Sequence, residues 1–255
     1  MSYIEFSTEA SWLDLTPLFS VPVDNIMREI DTLDQCAMLE ERDQDQYKDL
    51  QARKASGVGA KIQGQQRWSA MALFSASGQS RDIISQGILD NTDAISYRSS
   101  FRNLRKHRWT DLAPRMLSSA QWLASTFEPL MRLSYVKIAK LDGGGTIPEH
   151  ADLPETGRFS QGTSSYTMLN SILIELNHPP GVSAMHGGVL IPYTRGSVFM
   201  LNQSRPHSTV HSGTEPRYNI RIHGLHNTKF REMIRNNISM LTCHPPHAKD
   251  VFRAG

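Results

Sequence analysis

The chain has 255 residues, 39% hydrophobic and 20% charged, with a formal net charge of +2. That length can bury one good-sized core, and the small charge, with no concentrated Lys/Arg block, excludes a strong electrostatic footprint for nucleic acid. Cys36 and Cys243 lie far apart and in no metal-type spacing, no basic-then-apolar leader opens the chain, and no apolar run reaches the roughly 18 residues of a membrane helix, so a cytoplasmic protein is expected.

Residues 1 to about 60 are polar and acidic. Ile26, Ile30 and Leu33 fall at helical spacing with Asp24 as a cap, so part of Ile26–Leu50 reads as helix. Glu41–Ala55 is polar enough to be a solvated helix or a loop. Arg67–Ser75 is a short apolar run between Gly64 and Gly78 and reads as a strand. Arg102, Arg105, Lys106 and Arg108 read as a solvated helix face. Leu112, Met116, Ala120, Leu123 and Phe127 then keep helical spacing through Trp109–Phe127, with Thr110 or Asp111 as cap.

From Leu133 short apolar segments alternate with Gly/Pro-rich turns: Leu133–Leu141, Thr167–Leu176, Gly188–Pro192, Ser197–Asn202 and Tyr218–His223. That pattern predicts a mostly β barrel or jelly roll. Thr228–Leu241 carries Phe230, Met233, Ile234 and Ile238 on one face, as an outer helix would. The expected architecture is one unit over 1–255: a mixed N-terminal portion (1–108), a β region with its leading helix (109–227), and a C-terminal helix and tail (228–255).

The chemistry concentrates in two segments. Gly143-Gly144-Gly145-Thr146-Ile147-Pro148-Glu149-His150-Ala151-Asp152 leaves a strand through a glycine turn and presents His-x-Asp. Residues two apart on an extended chain share a side, so His150 and Asp152 can face one metal ion. Iron(II) accepts two imidazoles and a carboxylate on one face with positions left open. The second segment has a strand ending in Asn202, then Arg205-Pro206-His207-Ser208-Thr209-Val210, with Arg217 ten residues after His207. A hairpin through Ser212–Pro216 would bring His207 and Arg217 into one cavity, where the planar guanidinium suits a buried carboxylate, the distal one of 2-oxoglutarate.

The order Pro-x-His-x-Asp, Gly-Gly, a Gly-Ser strand ending in Asn, Pro-His-Ser-x-Val and an Arg ten residues after that His resembles the aspartyl/asparaginyl β-hydroxylase family of Fe(II)/2-oxoglutarate-dependent dioxygenases. The likeness runs from about Trp109 to Gly224. It implies a double-stranded β-helix (jelly roll, cupin-like) core with flanking N-terminal and C-terminal helices. It also implies Fe(II) held by His150, Asp152 and His207, with 2-oxoglutarate and O2 as cosubstrates. The reaction implied is hydroxylation of a free or peptidyl amino acid with release of succinate and CO2. Arg217 would bind the 2-oxoglutarate side-chain carboxylate, with Asn170 and Asn219 also in the cosubstrate site.

Two departures stand out. The strand after His-x-Asp, Met168–Ile174, carries no Arg or His, leaving Asn170 as a possible donor. The position four after the distal His, often Asn in the family, is His211. His211 and Arg221 are also ten residues apart, a second frame; the setting of His207 favours the first. Arg221 shares a strand face with Arg217 and is, with His211, the candidate contact for a substrate carboxylate. His178 and His186 read as loop residues, and His223, His226, His244 and His247 as structural or exposed. Two rivals are a 2-oxoglutarate-independent cupin-type metalloenzyme and a non-catalytic jelly-roll binding module. No nucleic-acid or membrane partner is expected, and nothing in the sequence fixes an oligomeric state.

Overall fold

Twelve strands and three α-helices are present among the described residues, 10–33, 68–75, 78–80, 107–150, 170–203 and 205–246, of a computed structural model. In chain order the strands are β1 (Trp12–Asp14), β2 (Trp68–Ser75), β3 (Arg108–Trp109), β4 (Met131–Leu141), β5 (Thr146–His150), β6 (Asn170–Glu175), β7 (Val182–His186), β8 (Val189–Leu190), β9 (Val198–Asn202), β10 (His207–His211), β11 (Arg217–His226) and β12 (Thr242–His244). The helices are α1 (Val23–Asp31), α2 (Leu117–Phe127) and α3 (Thr228–Asn237).

Eight strands form one antiparallel sheet in the order β12-β1-β9-β6-β11-β4-β2-β3, and four form a second in the order β5-β10-β7-β8. From β4 onward the chain crosses between them: β4 large, β5 small, β6 large, β7 and β8 small, β9 large, β10 small, β11 large. This is a double-stranded jelly roll. Residues 1–9 and the remaining gaps, including 34–67 with the polar Glu41–Ala55 stretch and 81–106, lie outside the described residues.

Strand alternation builds two cores. Ile172 and Ile174 of β6, Val198 and Met200 of β9, and Ile220 and Ile222 of β11 face the layer that contains Ile26, Phe127 and Phe230 from the three helices. The intervening residues face the small sheet, where Trp12, Leu173, Ala184, Tyr193, Phe199 and Leu201 pack together. Polar residues on that inner face therefore sit inside the jelly roll.

The structure revises several sequence expectations. The strand expected over Arg67–Ser75 is present as β2, but β1 was not expected, and it joins the large sheet between β9 and β12. Asp24 does not cap α1; it lies within its first turn after Pro22 and pairs with Arg195 at 2.5 Å. The helix expected from Trp109 begins at Leu117. Trp109 is instead in β3, and Thr110 Oγ1 donates to the Ala72 carbonyl at 2.8 Å, tying this stretch to β2. The cap of α2 comes from far away in sequence: Glu29 accepts from the backbone N–H groups of Ser118 and Ser119 at 2.9 and 3.0 Å. Burial works against that carboxylate's charge, but the bonds from Ser119 and Ser118 outweigh it and lower its pKa. Among the described residues no helix is long and apolar enough to cross a membrane.

His226, expected to be structural or exposed, is 2% exposed and stacks on Phe230 with centroids 4.3 Å apart. Burial lowers its pKa from 6.5 to about 3. The unfolded chain therefore binds this proton below pH 6.5 while the fold resists it until about pH 3. Its contribution to stability is present above 6.5 and is lost as pH falls, at about 1.4 kcal/mol per pH unit between the two values. Urea unfolding at pH 7, 5.5 and 4.5 should show a steeper acid loss in the wild type than in His226→Phe. Equal slopes would contradict this account.

Candidate metal centre

Two proline-containing segments deliver two histidines to one place. β5 is an edge strand of the small sheet, and Pro148, with no N–H to donate, is tolerated on an edge. The β5–β10 ladder slips register there: His207 faces His150, while Thr209 faces Ile147. The extra β5 residue bulges at Pro148–Glu149, a device that re-aims the side chain that follows. The Pro148 carbonyl accepts a hydrogen bond from His150 Nδ1 at 2.8 Å. On the facing strand Pro206 precedes His207, whose Nδ1 donates to the Arg205 carbonyl at 3.0 Å.

A carbonyl can only accept, so Nδ1 carries the proton in both rings and Nε2 holds the lone pair. The two rings lie 4.3 Å apart, centroid to centroid. Two adjacent imidazoles, each oriented through the nitrogen that would not bind metal, form a donor pair suited to one metal ion. Asp152, the expected carboxylate partner, lies outside the described residues. Among the described residues no group of three His, Cys, Asp or Glu is arranged to hold a metal ion.

A third imidazole stands next to the pair. His186 closes β7 as the cross-strand neighbour of His207, with rings 5.1 Å apart and edge to face. It is 1% exposed and belongs to a strand, contrary to the loop expected for it.

His211 is used elsewhere. Its Nε2 donates to the Glu215 carbonyl and its Nδ1 accepts from the Gly213 N–H at 3.3 Å, so both ring nitrogens brace the β10–β11 turn. Its backbone exchanges hydrogen bonds with the glycine turn before β5: Gly144 N–H to His211 at 2.8 Å, and His211 N–H to Gly145 at 3.0 Å. Gly143 meets the Gly213 carbonyl so closely that a Cβ would sit 2.4 Å from it. The two turns therefore fix β5 against β10 through backbone contact, at the end opposite His150 and His207. The structure does not bring His211 to them, and both functions suggested for it compete with this bracing role.

Arg217 faces the interior, 2% exposed, but its fork is filled. Nε donates to Glu175 Oε1 at 2.7 Å and an NH2 donates to Oε2 at 2.6 Å, and the guanidinium stacks 5.2 Å from the Tyr193 ring centroid. Burial pulls the Arg217 pKa down, but the Glu175 carboxylate and its hydrogen bonds outweigh it, and the net shift is upward. Burial likewise pushes the Tyr193 hydroxyl up, against the Arg217 charge. His178 lies in the loop after β6 as expected, with Nδ1 3.1 Å from Glu175 Oε1. The two parallel bonds expected to hold a cosubstrate carboxylate thus go to a side chain of the protein. Asn219 and Arg221 follow Arg217 on the same inner face, opposite Glu175 and Leu173 of β6. Asn170 opens β6 opposite Asn202; its side chain lies outside the described part.

No family model and no curated protein matches the chain. Among solved structures it is similar to a 2OG-Fe(II) oxygenase family oxidoreductase from Burkholderia pseudomallei, at 11% identity and a TM-score of 0.36, over 71% of this chain and 81% of that one. It is also similar to a Pseudomonas putida prolyl-4-hydroxylase, at 12% identity and a TM-score of 0.34, over 86% and 94%. A third likeness, to salicylate 1,2-dioxygenase from Pseudoaminobacter salicylatoxidans, has 9% identity and a TM-score of 0.26 and covers 42% of this chain and 22% of that one. The overlap is loose in all three.

Glu175, Tyr193 and His186 escaped sequence reasoning. For His186 a signal existed: Val182 and Ala184 alternate with Ser183, and Gly187-Gly188 follows. Both glycines have positive φ, +61° and +78°, and form the two-residue turn to β8. Glu175 carried no such mark, since a lone acid at the end of an apolar strand reads as a strand terminus.

Proposed function

We propose that this chain is a non-haem Fe(II) dioxygenase that uses 2-oxoglutarate and O2 to hydroxylate an amino acid, free or peptidyl, with residues 1–255 acting as one unit. The observation that carries this reading is the His150–His207 pair, facing each other across two strands with both Nδ1 atoms bound to backbone carbonyls. Asp152, two residues beyond His150, supplies the third ligand, and the His-x-Asp and distal His order supports membership of the aspartyl/asparaginyl β-hydroxylase family.

Bound here, iron(II) with 2-oxoglutarate would supply the oxidising chemistry, with succinate and CO2 as co-products. The chain's own residues provide the rest. His150 and His207 present Nε2 from rigid strands, Pro148 and Arg205 hold the rings in place through their carbonyls, and Trp12, Leu173 and Phe199 line the inner face with apolar surface that excludes water.

One observation favours a second reading. Glu175 fills the fork of Arg217, as would be expected of a cupin-type metalloenzyme that takes no 2-oxoglutarate. Anaerobic titration separates the readings. Fe(II) followed by 2-oxoglutarate should develop the weak visible charge-transfer band of the iron–keto acid chelate. Metal binding without any band, together with O2 uptake independent of 2-oxoglutarate, would establish the cupin-type enzyme. Absence of Fe(II), Mn(II) or Ni(II) binding would leave only a binding module.

A further inference from the structure

β11 sends three polar side chains into the jelly roll at alternate positions, Arg217, Asn219 and Arg221, and the structure treats them differently. Arg217 is neutralised. Its guanidinium and the Glu175 carboxylate are both buried and share two parallel hydrogen bonds of 2.7 and 2.6 Å. A ligand carboxylate approaching that fork would share it with Glu175, and two like charges around one buried cation repel with little solvent to screen them. Displacing Glu175 would strand its charge in the interior.

Arg221 has no such partner among the described residues, where it makes no hydrogen bond or ion pair. It stands opposite Leu173 on β6 and Lys137 on β4, and Leu173 in turn pairs with Phe199, so Arg221 lies on the inner face. Its charge is felt at the Tyr193 hydroxyl, where it opposes the effect of burial. Asn219, between the two arginines, is 5% exposed, and its Oδ1 is buried with no hydrogen-bond partner among the described residues. A guanidinium with no anion among the described residues is a group that a carboxylate satisfies, whereas the Asn219 Oδ1 is an acceptor and needs a donor that a carboxylate does not have. The guanidinium offers a planar fork that donates two parallel bonds to a carboxylate.

The heights along the barrel agree. β10 ends at His211 and β11 begins at Arg217, running back antiparallel after the turn. Four residues back from His211 is His207, and four residues on from Arg217 is Arg221. Arg221 is therefore level with the histidine pair, whereas Arg217 is level with the turn, about 13 Å further along the strand at roughly 3.3 Å per residue. Facing sheets lie about 10 Å apart. A small keto acid bound to a metal held by His150 and His207 would reach across that gap with its far end toward Arg221.

We infer that Arg221 anchors the distal carboxylate of the keto acid, and that Arg217 is a structural charge held by Glu175. This rests on the reading of the histidine pair as an iron site that accepts 2-oxoglutarate.

The test is anaerobic titration calorimetry of 2-oxoglutarate into the Fe(II)-loaded full chain. Arg221→Met keeps the side-chain stem and should weaken 2-oxoglutarate binding about 10- to 100-fold, the range for losing charge-assisted hydrogen bonds to a carboxylate. Arg221→Lys should recover part of the loss, and Fe(II) affinity should not change in either variant. Pyruvate, which lacks the distal carboxylate, should bind wild type and Arg221→Met alike. Wild-type 2-oxoglutarate affinity in Arg221→Met would overturn the assignment and leave the iron and cosubstrate reading intact. Failure of the Fe(II)-loaded wild type to bind 2-oxoglutarate at all would overturn both.

Discussion

His207→Ala is expected to abolish stoichiometric binding of Fe(II) or Mn(II), and His150→Ala to do the same, while His211→Ala retains it. The first two remove an imidazole whose Nε2 is presented by a hydrogen bond from Nδ1 to a backbone carbonyl, at 2.8 Å for His150 and 3.0 Å for His207. Losing a ligand must cost more than the roughly 10- to 100-fold lost when only an outer partner of a ligand is removed. His211 spends both ring nitrogens on the β10–β11 turn, bonding the Glu215 carbonyl and the Gly213 N–H. Its replacement should therefore lower thermal stability and leave the metal stoichiometry alone. Calorimetric or equilibrium-dialysis measurement of Mn(II) binding in the three variants decides the matter. Loss of metal in His211→Ala, with retention in His207→Ala, would move the site to the second frame of the sequence, His211 with Arg221.

The contrast between those two histidines shows what the sequence can carry. Both have an arginine ten residues on, so spacing cannot separate them. The local chemistry does: Pro206 before His207 shapes the turn whose carbonyl orients the ring, while Gly213 and Glu215 after His211 form the turn that consumes its nitrogens. The β strands were legible because β6 and β9 contain short continuous apolar runs at 172–174 and 198–201, because apolar and polar residues alternate along the first part of β11, and because glycines and prolines punctuate them. The helix over Trp109–Phe127 was half legible. Its periodicity continues smoothly from Leu112, yet Thr110 is bonded to β2, and the cap that lets the helix begin at Leu117 is Glu29. A cap from ninety residues away leaves no local trace. The partner of Arg217 is equally remote, 42 residues back. A buried cation in a sequence announces that some anion will meet it, and does not say whether that anion arrives with a ligand or is already in the chain.

That distinction sets the largest stability effect expected here. Glu175→Met leaves Arg217 charged, 2% exposed and stripped of two short hydrogen bonds. Breaking a buried pair from one side costs about 3–5 kcal/mol, and at about 2–4 °C per kcal/mol for a chain of this size the Tm should fall by roughly 6–20 °C. Arg217→Met should be comparably damaging, because Glu175 is then the stranded charge, with His178 beside it at 3.1 Å. The double variant Glu175→Met/Arg217→Met removes both charges and fills the space with apolar side chains. It should recover most of the loss, because the desolvation cost of the pair offsets much of its attraction. The thermal-melt cycle over these four proteins reads the coupling directly. If Arg217 were instead an anion anchor with Glu175 an incidental neighbour, Arg217→Met would change Tm little and would weaken 2-oxoglutarate binding more than Arg221→Met does. The pairing geometry argues for the opposite pattern, in which Arg217 governs the melt and Arg221 governs the ligand.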